Sequence, residues 1–210
     1  STCVKYKTIS KQEPKQKSLR PVIPYFGGKT KVASKIIDHL PKDYDTYVEP
    51  MVGGGSVYWK ENKAKKYVIN DKNKEIYNLY KTAKNSPGTV KSCKLNPSKE
   101  KFKKIKGKSK KGACDTMNLF KHSYGAQGES FAKKGRKLQN TFTDDHAEKL
   151  KKTTVLNQDF RSVLKKHDNK NTIIYLDPPY VKGGENYKEH GVTPKEVCDS
   201  VKKLKKAKAI

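Results

Sequence analysis

Thr172-Ile173-Ile174-Tyr175-Leu176-Asp177-Pro178-Pro179-Tyr180 is the stretch on which the reading of this chain turns. Its β-branched and aromatic residues read as a short buried strand that stops where Asp177 arrives. Two consecutive prolines cannot donate to a sheet ladder, so the backbone from Pro178 onward is stiff and non-helical. Asp177 and Tyr180 therefore stand on a rigid turn at the carboxyl end of a strand, where open α/β sheets place their ligands. A carboxylate and a phenol beside proline carbonyls make a pocket that accepts hydrogen bonds and stacks a flat ring. Taken alone, the same residues also describe a strand ending in an ordinary Pro-Pro turn. The upstream segments weigh against that plainer reading.

Thr154 and its neighbours give the preceding unit. Thr154 to Phe160 reads as a strand ending in Asp159-Phe160, Arg161 to Lys166 as a short helix, and the Asp177 strand follows in the βαβ rhythm of a parallel sheet. Near the start, Val22 to Thr30 carries Gly27-Gly28-Lys29-Thr30 and leads into an amphipathic pattern of Val32, Ile36, Ile37 and Leu40 that ends at Pro41. A phosphate loop would need glycine five positions before Gly28, and Ile23 is there instead. The glycine pair still admits a ligand close to the backbone, with Lys29 as a pointed cation.

Thr46 to Glu49 reads as a strand, Gly53-Gly54-Gly55 as a tight turn, and the following residues as a helix with Ser56 as its cap. This is the layout of a nucleotide-binding first βα unit, although Tyr58 stands where the dinucleotide fingerprint needs its last glycine. Lys66 to Asn70 forms a further strand ending in Asp71, 18 residues after Gly53, where such folds hold ribose hydroxyls. A helix is expected from Asn73 to Thr82. From 85 to 150 turn signals dominate, and Asn118 to Phe131 mixes aromatics, amides and glycines ahead of Lys133, Lys134 and Arg136. Tyr124 and Phe131 are candidates to wedge or stack on bases there. After Tyr180 a Gly-Gly loop carries Tyr187. A helix from 193 to 206 follows, and Ala207 to Ile210 opens another strand.

The 210 residues suit one domain, or one domain with an insertion, and lysine and arginine exceed the acids by 27. Such a surplus points to a polyanion as partner, nucleic acid first, although lysines spread along the chain also make a plain solvated surface. Cys3, Cys93, Cys114 and Cys198 lack metal-ligand spacing, so neither a metal site nor a disulfide framework is expected; free thiols suit an intracellular, reducing compartment. No apolar run long enough for a membrane span is present. His122, His146 and His167 are scattered and read as core or surface residues rather than ligands.

Together, Pro24 to Lys29, Glu49 to Ser56, Asn70-Asp71, Asp159-Phe160 and Asp177-Pro178-Pro179-Tyr180 resemble, in kind and order, the Dam-type N6-adenine DNA methyltransferases of the DPPY-motif alpha group. The resemblance spans 22 to 190, with Met51 and Gly54 departing from the residues common in the cofactor loop. It implies an α/β fold: a Rossmann-like S-adenosylmethionine-dependent methyltransferase sheet with an inserted, mostly helical target-recognition domain. The division expected is a basic leader over 1–20, a catalytic domain over 21–84 and 151–210, and target recognition over 85–150.

By the same resemblance Tyr25, Gly28 and Lys29 flank the methionine part of S-adenosylmethionine, and Glu49, Pro50, Gly53, Gly55 and Ser56 line the loop around it. Asp71 holds the ribose, Asp159 with Phe160 the adenine ring, and Asp177 also borders the cofactor. Asp177, Pro178, Pro179 and Tyr180 carry catalysis on a flipped adenine. Tyr124, Gln127, Lys133, Lys134, Arg136 and Tyr187 contact double-stranded DNA, and no metal is needed. Family members continue further, so the strand ending at Asp177 is expected to lack a neighbour on one side unless further strands or a second chain supply it. A binding-only homologue and an RNA adenine methyltransferase are the competing readings.

Overall fold

Five short strands share one parallel sheet: β1 (Thr46–Glu49), β2 (Lys66–Asn70), β3 (Thr153–Leu156), β4 (Thr172–Ile174) and β5 (Lys208–Ala209), in the order β3-β2-β1-β4-β5. The computed structural model describes residues 18–132, 138–178 and 192–210. Parallel neighbours need crossovers, and helices provide them. They are α1 (Ala33–Asp38), α2 (Ser56–Lys60), α3 (Lys74–Asn85), α4 (Pro87–Lys91), α5 (Lys99–Lys106), α6 (Ala113–Lys121), α7 (Asp144–Lys151), α8 (Phe160–Lys166) and α9 (Pro194–Lys202).

Successive strand residues face opposite sides of the sheet. Tyr47, Tyr67, Ile69, Ile173 and Tyr175 join Trp59, Leu79, Tyr80, Met117 and Leu150 in one core cluster. Val48, Val68 and Ile174 meet Phe160, Val163, Leu164 and Val197 in another. Both faces are covered, as a parallel sheet requires. The chain steps outward from β1 to β2 to β3, then returns to lay β4 on the other side of β1. The direction of winding therefore reverses between β1 and β4, which opens a crevice at their carboxyl ends.

Several expectations change here. The far side of β4 is not bare: Ile173 and Ile174 pair with Lys208 and Ala209, so β5 of the same chain covers it. The Asp168 carboxylate, accepting from the N–H groups of Lys205, Lys206 and Ala207 at 2.8, 2.8 and 2.7 Å, steers the chain into that strand. Leu19 and Arg20, expected in the leader, join the fold: Leu19 is buried in the core and the Arg20 carbonyl lies 2.9 Å from His146 Nε2. Cys93 and Cys114 form a disulfide, Cα atoms 5.3 Å apart, that ties the end of α4 to the start of α6; Cys198 is free and exposed. The expectation of unpaired thiols thus fails for that pair, whose 21-residue separation offered no recognisable spacing. Ser56 is not the cap of α2; Gly55 is, in the left-handed region at φ 66°. Residues 85–150 carry α4, α5, α6 and most of α7, and α6 and α7 share the first core cluster with the sheet through Met117, Phe120 and Leu150.

Candidate active site

The triple-glycine turn sits at the crevice because its backbone is fixed from several sides. Gly53 N–H donates to Asp71 Oδ2 at 2.8 Å, and Tyr80 Oη donates to the Gly53 carbonyl at 3.2 Å. Asn70 Nδ2 donates to the Pro50 carbonyl at 2.8 Å and to the Gln158 carbonyl at 3.1 Å, while its Oδ1 accepts from Gln158 N–H at 2.8 Å. Asn70 thereby laces the turns after β1 and β3 to β2. Neither Tyr80 nor Asn70 carried an assigned role in the sequence; a polar residue closing an otherwise apolar strand is the signal for Asn70.

The glycines are required by contact as well as by conformation. A Cβ on Gly53, at φ +48°, would lie 2.6 Å from Tyr25 Cδ1. One on Gly55 would lie 2.7 Å from Tyr80 Oη. The Tyr25 ring thus lies directly on the glycine turn, and it also packs against Phe120 of α6 with centroids 5.4 Å apart. Burial, and then the carboxylates of Asp71 and Glu75, push the Tyr25 phenol up, so it stays protonated. The Thr30 and Ser56 hydroxyls, 3.0 Å apart, join the glycine-lysine loop to α2.

Lys29 Nζ donates to both oxygens of Asp177, at 2.6 and 2.8 Å, and to the Gly27 carbonyl at 3.1 Å. The pair is about four-fifths buried. Asp177 stands past the last rungs of β4, where Tyr175 N–H still donates to Val48 and Leu176 N–H to Ile210. Pro178 follows it, partly buried. Pro179 and Tyr180 lie outside the described residues, as do Lys133, Lys134, Arg136 and Tyr187.

Asp71, at the tip of β2, is partly buried, and that burial raises its carboxyl to about 6, against the lowering effect of the Asn73 and Gly53 N–H groups. Each of its oxygens takes one backbone N–H, which leaves further lone pairs for a ligand. Asp159 caps α8, its Oδ1 accepting from Arg161 N–H at 2.9 Å and its Oδ2 from Arg161 Nη1 at 3.0 Å. Phe160 is buried in the second cluster.

Glu49 departs from its expected place. Its side chain does not line the glycine turn; it points into the core, where Tyr47 Oη and Tyr58 N–H donate to Oε2 at 2.7 and 3.0 Å. Burial raises it to about 8, with the Tyr47 hydroxyl opposing and the Asp177 charge adding to the rise. Nearby Lys149 is lowered to about 8, by burial first, and donates to the Glu61 carbonyl.

The insertion approaches the same crevice. An antiparallel bridge between Ser123 and Phe131 closes a narrow loop, with Tyr124 N–H donating to Ser130 at 3.0 Å. Tyr124 and Gln127 are exposed on it. Phe131, expected at bases, packs instead on Phe102 with centroids 5.3 Å apart. No helix of the described residues is long and apolar enough to cross a membrane.

A glycine turn, a strand-tip acid and a DPP acid gathered at one switch point define a Rossmann-like group-transfer fold. A model of the D12 class N6 adenine-specific DNA methyltransferases matches residues 25–124 and 113–193. The chain belongs to that family, and its reaction is methyl transfer to an adenine amine of DNA. It is similar to the type II methyltransferase M.CviBI of Paramecium bursaria Chlorella virus NC1A, with 23% identity over 77% of this chain and 69% of the relative. Similarity to M.MjaIII of Methanocaldococcus jannaschii reaches 27%, again over 77% and 69%. The DNA adenine methylase of Haemophilus influenzae is 26% identical over 80% of this chain and 68% of the relative.

Proposed function

We propose that the crevice between β1 and β4 is the active site, that the methyl donor is S-adenosylmethionine, and that the acceptor is N6 of an adenine flipped out of duplex DNA. The observation that carries this reading is the convergence on one crevice of the Asp177 carboxylate, held by Lys29, and the glycine turn, held by Asp71. The donor set fits the cofactor: a carboxylate with spare lone pairs at Asp71 suits ribose hydroxyls, and Asp159 at the start of α8 suits an amino group of adenine. Gly28, Gly53 and Gly55 bring backbone close to the ligand, with Tyr25, Lys29, Pro50 and Ser56 around them. When bound, S-adenosylmethionine supplies a methyl group on a sulfonium.

N6 of adenine is a poor nucleophile because its lone pair is delocalised into the ring. The Asp177 carboxylate and the Pro178 carbonyl accept its two hydrogens, which draws the nitrogen toward a tetrahedral form and frees the lone pair. Lys29 donates to the same carboxylate oxygens that the amine must use. It therefore holds Asp177 in place before the base arrives and yields part of that bond when it does. Tyr180, and Tyr187 on a second face, are assigned to stack the extruded ring, as base-flipping enzymes require. Glu49 acts as a positioning residue that braces α2 behind the glycine turn. Residues 85–150 are assigned target recognition, with Tyr124 and Gln127 at the loop tip and Lys133, Lys134 and Arg136 on phosphates. The protein works inside the cell, where its DNA is.

Asp177→Asn tests the assignment. Methyl transfer should fall by about 100-fold or more, the usual loss when one such polar contact is removed, with S-adenosylmethionine affinity within a few-fold. Undiminished turnover would sink the role given to Asp177.

A further inference from the structure

Parallel strands keep their neighbours in step only as far as the ladder runs, and the turns beyond β1, β2 and β3 lie past its end. The last rungs are Val52 N–H to the Asn70 carbonyl at 2.9 Å and Asp71 N–H to the Leu156 carbonyl at 3.3 Å. Beyond them two side-chain amides continue the pairing. Asn70, 1% exposed, exchanges bonds in both directions with the backbone of Gln158 and gives its other N–H to the Pro50 carbonyl. Asn157 reaches the opposite way: its Nδ2 donates to the carbonyls of Asp71 and Lys72 at 2.7 and 3.0 Å. The amide hydrogens of both side chains are thus spent on backbone carbonyls, which leaves neither asparagine a donor for a ligand.

We infer that Asn70 and Asn157 are positioning residues for the methyl donor: they hold the glycine turn, Asp71 and Asp159 in one fixed arrangement, so that S-adenosylmethionine meets a preformed site. The inference rests on the functional reading above and deepens it, because the ligand-facing groups named there lie on three separate turns. Asn70 ties the first turn to the third, through Pro50 and Gln158, and Gln158 directly precedes Asp159. Asn157 ties the third to the second, and it grips the main chain of Asp71 while Gly53 N–H grips that residue's carboxylate. A turn left to fluctuate must be ordered when the ligand binds, and that ordering is subtracted from affinity. The residue type at 70 follows from the same contacts. Two donors and one acceptor are needed at short reach in a buried place, and asparagine supplies them. Leucine would strand the two carbonyls and the Gln158 N–H, while an ionised aspartate would set its charge beside carbonyl oxygens that now accept at 2.8 and 3.1 Å.

The test uses the full chain, S-adenosylmethionine and a duplex that wild type methylates. Asn157→Ala should raise KM for S-adenosylmethionine about tenfold, what one or two neutral hydrogen bonds contribute, with kcat and KM for DNA within about threefold. Asn70→Asp, which loses two donors, should raise it about 30-fold at about pH 8.5. Burial favours the neutral acid, and protonation returns one donor, so the deficit of Asn70→Asp relative to wild type should shrink between about pH 8.5 and about pH 6. Asp71 titrates in both proteins and cancels in that ratio. A lowered kcat with KM for S-adenosylmethionine unchanged would overturn the inference, since it would mark a smaller folded fraction rather than a displaced site. So would wild-type KM in Asn157→Ala, which is partly exposed and keeps the test decisive should Asn70→Asp fail to fold. A deficit of Asn70→Asp that stays constant or widens as pH falls would overturn the role of Asn70. If wild type itself neither binds S-adenosylmethionine nor methylates DNA, it is the functional reading that fails.

Discussion

Gly53→Ala offers a quantitative check on how the site is built. An alanine at φ +48° adopts a left-handed conformation that costs about 1.5 kcal/mol. Its Cβ would lie 2.6 and 2.9 Å from two carbons of the Tyr25 ring, so the ring must move by about an ångström. Overpacking of that kind costs about 2 kcal/mol. Loss of glycine's freedom in the unfolded chain returns about 0.7 kcal/mol. The net destabilisation is therefore about 3 kcal/mol, or a drop of about 6–12 °C in Tm for a domain of this size. In a Tyr25→Ala background the ring is gone and only strain less entropy remains, about 1 kcal/mol. Urea unfolding of the four proteins in the cycle should then give a coupling of about 2 kcal/mol between the two positions. Additivity within about 0.5 kcal/mol would refute the claim that Tyr25 lies on the glycine turn.

Two further outcomes follow from the same structure. Asp71 has a folded-state value of about 6 against 3.8 unfolded, so the stability it contributes is fully present below 3.8 and is lost as pH rises through 6. The carboxylate suited to ribose forms over that rise, so S-adenosylmethionine binding by calorimetry should be about tenfold weaker at pH 5 than at its plateau. Asp71→Asn should flatten that dependence, and an unchanged profile in the variant would exclude Asp71 as its source. The Cys93–Cys114 disulfide closes a loop of 21 residues, which corresponds to about 3 kcal/mol of stability. Urea unfolding with and without reductant should show a loss of that order, and a thiol count in unreduced, unfolded protein that includes both cysteines would disprove the pairing.

Much of the site was legible because its residues are local. Strands ending in Glu49, Asp71 and Asp177 were each visible as an apolar run closed by an acid, and parallel pairing then brings their ends together without long-range information. The reversal between β1 and β4 follows from winding rules once the strands are known. Other features needed contacts that no local pattern encodes. Lys29 and Asp177 are 148 residues apart, and nothing near either names the other. Glu49 closes a strand next to the glycine turn, which by resemblance placed it at the cofactor, but strand alternation puts its side chain on the Tyr47 face, where two donors can satisfy it. The helices of 85–150 were obscured by turn residues between short segments, whose stability comes from packing on the sheet rather than from propensity.

The fate of the methyl group tests the proposed reaction most directly. Purified protein should be incubated with duplex DNA and S-adenosylmethionine labelled in its methyl, and the DNA digested to nucleosides. Label is expected in N6-methyladenosine of the deoxy series, and none with Asp177→Asn. Label on cytosine, or none on DNA while S-adenosylmethionine binding is intact, would contradict it.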